Sequence, residues 1–344
     1  MKRILIFILV SAFFFIGSNG FNSGAEAKTW HFTYSIFFPA SHDQFKAAEK
    51  WAKEIEEKTN QKVKITMFPG GTLTNAKNCY DGVVSGISDI GMSCFAYTRG
   101  KFPVMESLDL PLGYEDGVVA SRTVNEFYKK IKPEELSDVK VLYIHAHGPG
   151  LLHTVKKVET LEDFSKLKIR STGLSAKVVE SLGGIPVAMP QGETYESIKK
   201  GVAEGTFGPI EVLKGWRQAE VVKSTTDTSN IGYTTTMYVV MNKKKWNSIP
   251  EDIRKIIEDI SEKAVIEHGK AWDRSDEAGK KYSLELGNAY VTLSDEQKVL
   301  WKEKVKPVIQ GYIDEVSAKG IDGNKIVEEI TGLIDKYSKE KKCE

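Results

Sequence analysis

Arg170 closes the run Lys168-Ile169-Arg170 and is followed by Ser171-Thr172-Gly173 and a helical stretch. An arginine held at the end of a strand presents a planar fork that matches a carboxylate or sulfonate with two parallel hydrogen bonds. A helix that starts beside such a ligand adds free N–H groups and a favourable dipole. The chemistry indicated is capture of an anion; the competing use of the side chain is a surface ion pair with Glu162 or Asp163. Phe37, Phe38, Tyr97, Phe207 and Trp216 fall on predicted loops, where they can wall an apolar ligand or pack one lobe against another. Arg99 is a second candidate cation, or else a solvated turn residue. Glu211 and Thr234 can bond a ligand hydroxyl, amine or carbonyl, with Ser93, Thr172, Tyr233 and Thr235 as further candidates. Glu211 can also close a salt bridge with Arg170 in the absence of ligand.

Catalytic and metal chemistry find less support. His145 and His147 lie two apart on a predicted strand and share a face, with His153 nearby, but zinc needs further ligands with outer partners, and there is no CxxC. Hydrogen-bonded pocket or core histidines are the simpler reading. No GxSxG, HExxH or P-loop motif occurs, and Gly148-Pro149-Gly150 is half of a dinucleotide fingerprint with proline where a helix must approach. An exported hydrolase or lyase using His147 or His153 as base would need a nucleophile or metal beside it. We therefore expect a binding protein and not an enzyme, without catalytic residues, cofactor or metal. The chain has 48 Lys and Arg against 47 Asp and Glu, interspersed except at 339–342, which argues against nucleic acid as partner.

The elements that must position these residues can be read from periodicity. Lys2 and Arg3, an apolar run at 4–16 and Ala25-Glu26-Ala27 read as a secretory leader cleaved near Ala27. The run is short for a bilayer span, so a soluble protein in the periplasm is expected. Of the three cysteines, Cys79 and Cys94 can pair, leaving Cys343 over. Trp30, Phe32, Tyr34 and Ile36 alternate with more polar neighbours, as in a half-buried strand. A helix to about Lys58 stopped by Asn60, a strand at 63–67, a helix at 76–84 and a strand at 89–93 complete a β-α-β-α-β series, which implies parallel strands whose ends form a crevice. The alternation continues with strands at 141–144, 167–170 and 185–189, helices at 175–182 and 194–202, and a short strand near Thr206. The β-branched stretch 233–241 returns to the first lobe, and two crossings between lobes make a hinge. Ser248-Ile249-Pro250-Glu251 predicts a capping box for a helix with Ile253, Ile256, Ile257, Ile260 and Ala264 on one face, continuing towards Leu286. At about 45 Å or more it can lie across both lobes. A second box is predicted at 294–297.

Taken together, 161–170 (LEDFSKLKIR), 183–189 (GGIPVAM), 193–205 (ETYESIKKGVAEG) and 240–254 (VMNKKKWNSIPEDIR), with 38–42, 68–73 and 88–91, resemble the extracytoplasmic solute-binding proteins of tripartite ATP-independent periplasmic (TRAP) transporters, the DctP family. The resemblance runs over nearly the whole chain after the leader. It implies an α/β, two-lobed periplasmic binding protein fold with a hinge and a long helix spanning both lobes. It also implies that Arg170 takes the ligand carboxylate, and that the ligand passes to TRAP-type membrane permease subunits. The expected division is 1–27 leader, 28–146 with 237–280 lobe I, and 147–236 with 281–344 lobe II. Two departures bear on the ligand: 204–208 lacks the asparagine that many relatives carry there, and 147–151 lacks the second arginine of sialic-acid-type relatives. Both suggest a small monoanion and put metal binding in doubt. A ligand-sensing co-receptor of the same fold is the alternative function.

Overall fold

The computed structural model describes residues 28–342; the predicted leader and Cys343 lie outside them. The strands are β1 (Trp30–Ile36), β2 (Val63–Phe68), β3 (Ile90–Cys94), β4 (Val139–Ala146), β5 (Leu151–Thr154), β6 (Lys168–Ser171), β7 (Ile185–Ala188), β8 (Gly205–Gly208), β9 (Ser224–Asp227), β10 (Thr236–Asn242) and β11 (Ala289–Thr292). They form two sheets, ordered β2-β1-β3-β10-β4 and β11-β9-β5-β8-β6-β7. In the first, β1 pairs in parallel with β2 and β3, so the connections must cross over, and the helices Asp43–Lys58 and Cys79–Ser85 do so. β10 runs antiparallel between β3 and β4, and all seven of its residues are buried. The second sheet is mixed: β6 is parallel to β7 and β8, while β5 is antiparallel to β8 and β9.

The helix Glu251–Glu285 is 35 residues long, roughly 52 Å at the usual rise per residue. It packs against the helices Asp43–Lys58 and Gly117–Ile131 beside the first sheet and against the turn Val212–Gly215 of the second. Two glycines permit those approaches. A Cβ on Gly269 would stand 2.8 Å from the Val118 Cα, and one on Gly279 would collide with the Ile210 carbonyl and stand 2.9 Å from the Glu211 Cα. The helix is a third crossing between sheets, since it leaves β10 behind and delivers the chain to β11, which pairs with β9. The helix Asp295–Ser317 then packs on Leu174–Ser181, and the helix Gly323–Lys341 lies back against Gly117–Ile131.

Local expectations fail where a side chain has a better partner. The predicted box at 248–251 does not form: Ser248 donates to the Lys245 carbonyl and ends the short helix Lys243–Asn247, leaving Pro250 as the N-cap of the long helix. At 294–297 half a box forms. Ser294 accepts from the Gln297 N–H, but the Gln297 side-chain oxygen takes the Leu161 and Trp301 N–H groups instead. A reciprocal box forms at Thr160 and Asp163, which had been the surface candidate for Arg170. The helix predicted from 76 begins at Cys79. Cys79 and Cys94 are buried free thiols, so the pairing considered for them is not made; Cys79 packs behind Gly91 of β3, and Cys94 ends that strand.

Candidate functional site

β6 ends with Arg170 next to β7, and the Arg170 Nε and Nη2 groups donate to the Met189 carbonyl, just past β7, at 3.1 and 2.9 Å. One carbonyl therefore fixes one edge of the guanidinium and leaves Nη1 for another acceptor. The side chain is 96% buried, with 4% exposed, and no acid pairs with it among the described residues. Asp163 caps its own helix, and Glu211 bonds His42 instead, so neither competing ion pair exists. A buried cation without a counter-charge is costly to maintain. Its field reaches its neighbours: burial pushes the His147 imidazole down to about 4, and the Arg170 charge acts in the same direction against a hydrogen bond to the Gly148 carbonyl.

The arginine faces a crevice between the two sheets. From the first come Phe37, Phe38, Cys94, Tyr97 and Met237, from the second Arg170, Gln191, Phe207, Glu211 and Trp216, and from the two connections between the sheets His147 and Thr235. The long helix adds Trp272. The rings stack: Phe37 lies 6.2 Å from Trp216 at 14° and meets Tyr97 edge-on at 5.6 Å, while Phe207 stacks on Tyr233 at 5.0 Å. The result is a flat, aromatic slot with one cation at its end. The space open to the centre of a water-sized sphere is about 30 Å³, enough for a water or two.

Two hydrogen bonds join the lobes beside the slot. The Gln191 N–H donates to the Tyr97 hydroxyl at 3.2 Å. His42 Nδ1 accepts from the Gln44 N–H, so Nε2 carries the proton and donates to Glu211 Oε2 at 2.9 Å, with both side chains buried. The Glu211 N–H donates to Asp276 of the long helix. Burial, with the Glu211 charge after it, pushes the Asp276 carboxyl well above the usual range.

Of the residues singled out by sequence, Arg170, Phe37, Tyr97, Phe207, Glu211 and Trp216 meet at this pocket. Arg99 does not: it lies at the exposed rim of a separate cavity of about 470 Å³ with Glu106 and Tyr312. Thr234 stands behind the wall, its hydroxyl donating to the His147 carbonyl at 2.6 Å, and Thr235 takes the lining position. Gln191, Met237 and Trp272 were not anticipated. Gln191 follows a strand end, which is a signal that could have found it; Trp272 was hidden in the apolar face of a helix. His145 accepts from the Trp272 indole N–H, and His153 bridges Thr225 and the Gly208 carbonyl. Among the described residues no group of three or more His, Cys, Asp or Glu side chains is placed to hold a metal.

The family model described as bacterial extracellular solute-binding protein, family 7 (DctP), matches residues 34–315. The C4-dicarboxylate-binding periplasmic protein DctP of Vibrio cholerae is 27% identical over 294 residues, 82% of this chain and 85% of that one. A TRAP solute-binding protein of Rhodoferax ferrireducens, solved with copurified benzoate, has a TM-score of 0.86 at 26% identity, over 90% of this chain and 99% of that one. One from Bordetella bronchiseptica, with bound (R)- and (S)-mandelate, has a TM-score of 0.82 at 29% identity, over 89% and 99%.

Proposed function

The chain belongs to family 7 of the bacterial extracellular solute-binding proteins, and on that premise we propose that its pocket captures a small aryl carboxylate, held at the anionic end by Arg170, for delivery to a TRAP-type membrane permease. Members of this family are periplasmic binding subunits of transporters and not enzymes, and so is this protein. The observation that carries the ligand reading is the buried Arg170, without a counter-ion, at the end of a slot walled by Phe37, Trp216 and Phe207. The benzoate and mandelate held by the two solved relatives support it. Arg99 stands apart, so the slot holds a single unpaired cation among the described residues, which favours a monoanion.

The lobes proposed are 28–146 with 237–280 and 147–236 with 281–344, the last helix lying back across the first lobe. A slot of about 30 Å³ cannot hold an aryl ring, so the lobes part to admit one. Closure then removes water from the ion pair and strengthens it. No helix among the described residues is long and apolar enough to cross a membrane. Export by the leader at 1–27, with cleavage near Ala27, is part of the same proposal.

A thermal-shift screen of small acids tests the reading, since a ligand at a hundred times its dissociation constant adds about 2.7 kcal/mol of stability. Benzoate or a close relative should raise the melting temperature. Arg170→Gln should weaken binding by about 2–5 kcal/mol in calorimetry, and a variant within threefold of the parent would overturn the assignment.

A further inference from the structure

The cavity to which Arg99 is carried shares no residue with the slot and has the features of a site of its own. It lies between the segment 99–106, the helix Leu174–Ser181 and the middle of the helix Asp295–Ser317. Its volume of about 470 Å³ is in the range that holds small molecules. Leu174, Val308 and Val316 give it a buried apolar floor. Gly311 keeps it open, since a Cβ there would meet nothing within 4 Å.

Set into this apolar surface is Glu106, 7% exposed. It accepts from the Gly100 N–H at 2.6 Å and makes no ion pair among the described residues, although three cations line the same cavity. Lys177 is committed to Glu180 at 2.8 Å and Lys319 to Glu315 at 3.0 Å. Arg99 is exposed, and its charge favours the ionised carboxylate without reaching it as an ion pair. The Tyr312 hydroxyl donates to the Pro103 carbonyl. The charges of Glu135 and Glu315 oppose ionisation, as does burial, which is the largest effect and pushes the Glu106 carboxyl up to about 7. Glu135 is itself held by the Val104 and Met105 N–H groups. A buried carboxylate beside an apolar cavity, with no cation to pair it, lacks a counter-charge.

The chemistry of an occupant follows. An anion would meet Glu106 and Glu315 as like charges. A neutral apolar molecule would cover the floor and leave Glu106 unpaired. An ammonium group on an apolar body meets both, because it brings the charge and three donors on a compact head. We propose that this cavity is a second binding site, for a small apolar primary amine, with Glu106 as its counter-charge. The inference stands apart from the aryl-carboxylate reading of the slot.

Calorimetry on the parent protein with 2-phenylethylamine, and with 2-phenylethanol as its uncharged counterpart, tests it. At pH 8 the amine should bind and the alcohol should bind about tenfold more weakly or not at all. An ammonium of this kind stays charged between pH 5.5 and 8, so the titrating group is the carboxyl. Amine affinity should therefore fall by about tenfold or more from pH 8 to pH 5.5, as Glu106 takes up its proton. Glu106→Gln should abolish both the preference for the amine and its pH dependence. Gly311→Leu fills the cavity from a helix position that favours leucine over glycine and should also block the amine, with a cooperative unfolding transition showing that each variant folds. Arg99→Gln removes the cation that competes for Glu106 and should leave amine binding equal or tighter. No amine binding at pH 8, equal affinity for the alcohol, or binding unchanged in both Glu106→Gln and Gly311→Leu would overturn the proposal, as would loss of binding in Arg99→Gln.

Discussion

A guanidinium buried beside one carbonyl and no acid among the described residues costs free energy, and in the proposed reading a ligand anion offsets that cost at Arg170. Two buried carboxyls elsewhere in the chain, Asp109 and Glu106, deal with burial in another way. Asp109 is pushed well above the usual range by burial, against hydrogen bonds from Thr236. Glu106 is pushed up to about 7, again by burial, while its Oε1 accepts from the Gly100 N–H. A carboxyl whose folded pKa is raised contributes stability that is full below its ordinary pKa and is lost as pH rises through the folded value. Between pH 5 and 8 the parent should therefore lose roughly 3 kcal/mol relative to Glu106→Gln, which keeps the acceptor without the titration. Melting curves for the two proteins across that range would show the gap widening from about pH 5 and levelling off just above pH 7; parallel traces would refute the assignment. At this scale Arg170 was legible in the sequence because a strand end followed by Gly173 restricts where the side chain can go. Gln191 was not, because an amide in a loop is unremarkable until its neighbours fail to bond it.

Among the elements, the helix Glu251–Glu285 does the positioning, and its two glycines touch different partners. Gly269 meets the helix Gly117–Ile131, while Gly279 meets the backbone of Ile210 and Glu211. A methyl at either place forces a backbone shift, which typically costs about 1–3 kcal/mol. Gly269→Ala and Gly279→Ala should both lower the unfolding midpoint in urea. Gly279→Ala should also weaken ligand binding severalfold in calorimetry, because it displaces Glu211. The helix and its apolar face were readable from periodicity alone. Its start was misread, because Ser248 has the Lys245 carbonyl within reach before any N–H of the next helix, and spacing cannot rank two such partners.

For the molecule as a whole, the proposed capture requires that the lobes open and close, and the His42–Glu211 and Gln191–Tyr97 hydrogen bonds are the contacts that such a motion would break. A hydrogen bond to a charged group contributes about 1.5–3 kcal/mol. His42→Ala should raise the dissociation constant roughly tenfold, mainly through faster release in stopped-flow displacement, because the latch forms after the anion is engaged. An unchanged release rate would show that the contact is not part of closure.

The sequence by itself determined the order of strands and helices, the family-level architecture and the place of Arg170 at a strand end, because each is carried by periodicity, strand-end position or motif within a few tens of residues. Tertiary structure decided which loops meet. β10 enters between β3 and β4, His42 reaches Glu211 across 169 positions, Trp272 leaves a helix face to line the slot, and Arg99 is carried to another cavity. Such juxtapositions depend on the packing of two sheets against one shared helix, and no local pattern records the distance between residues that only the folded chain brings together.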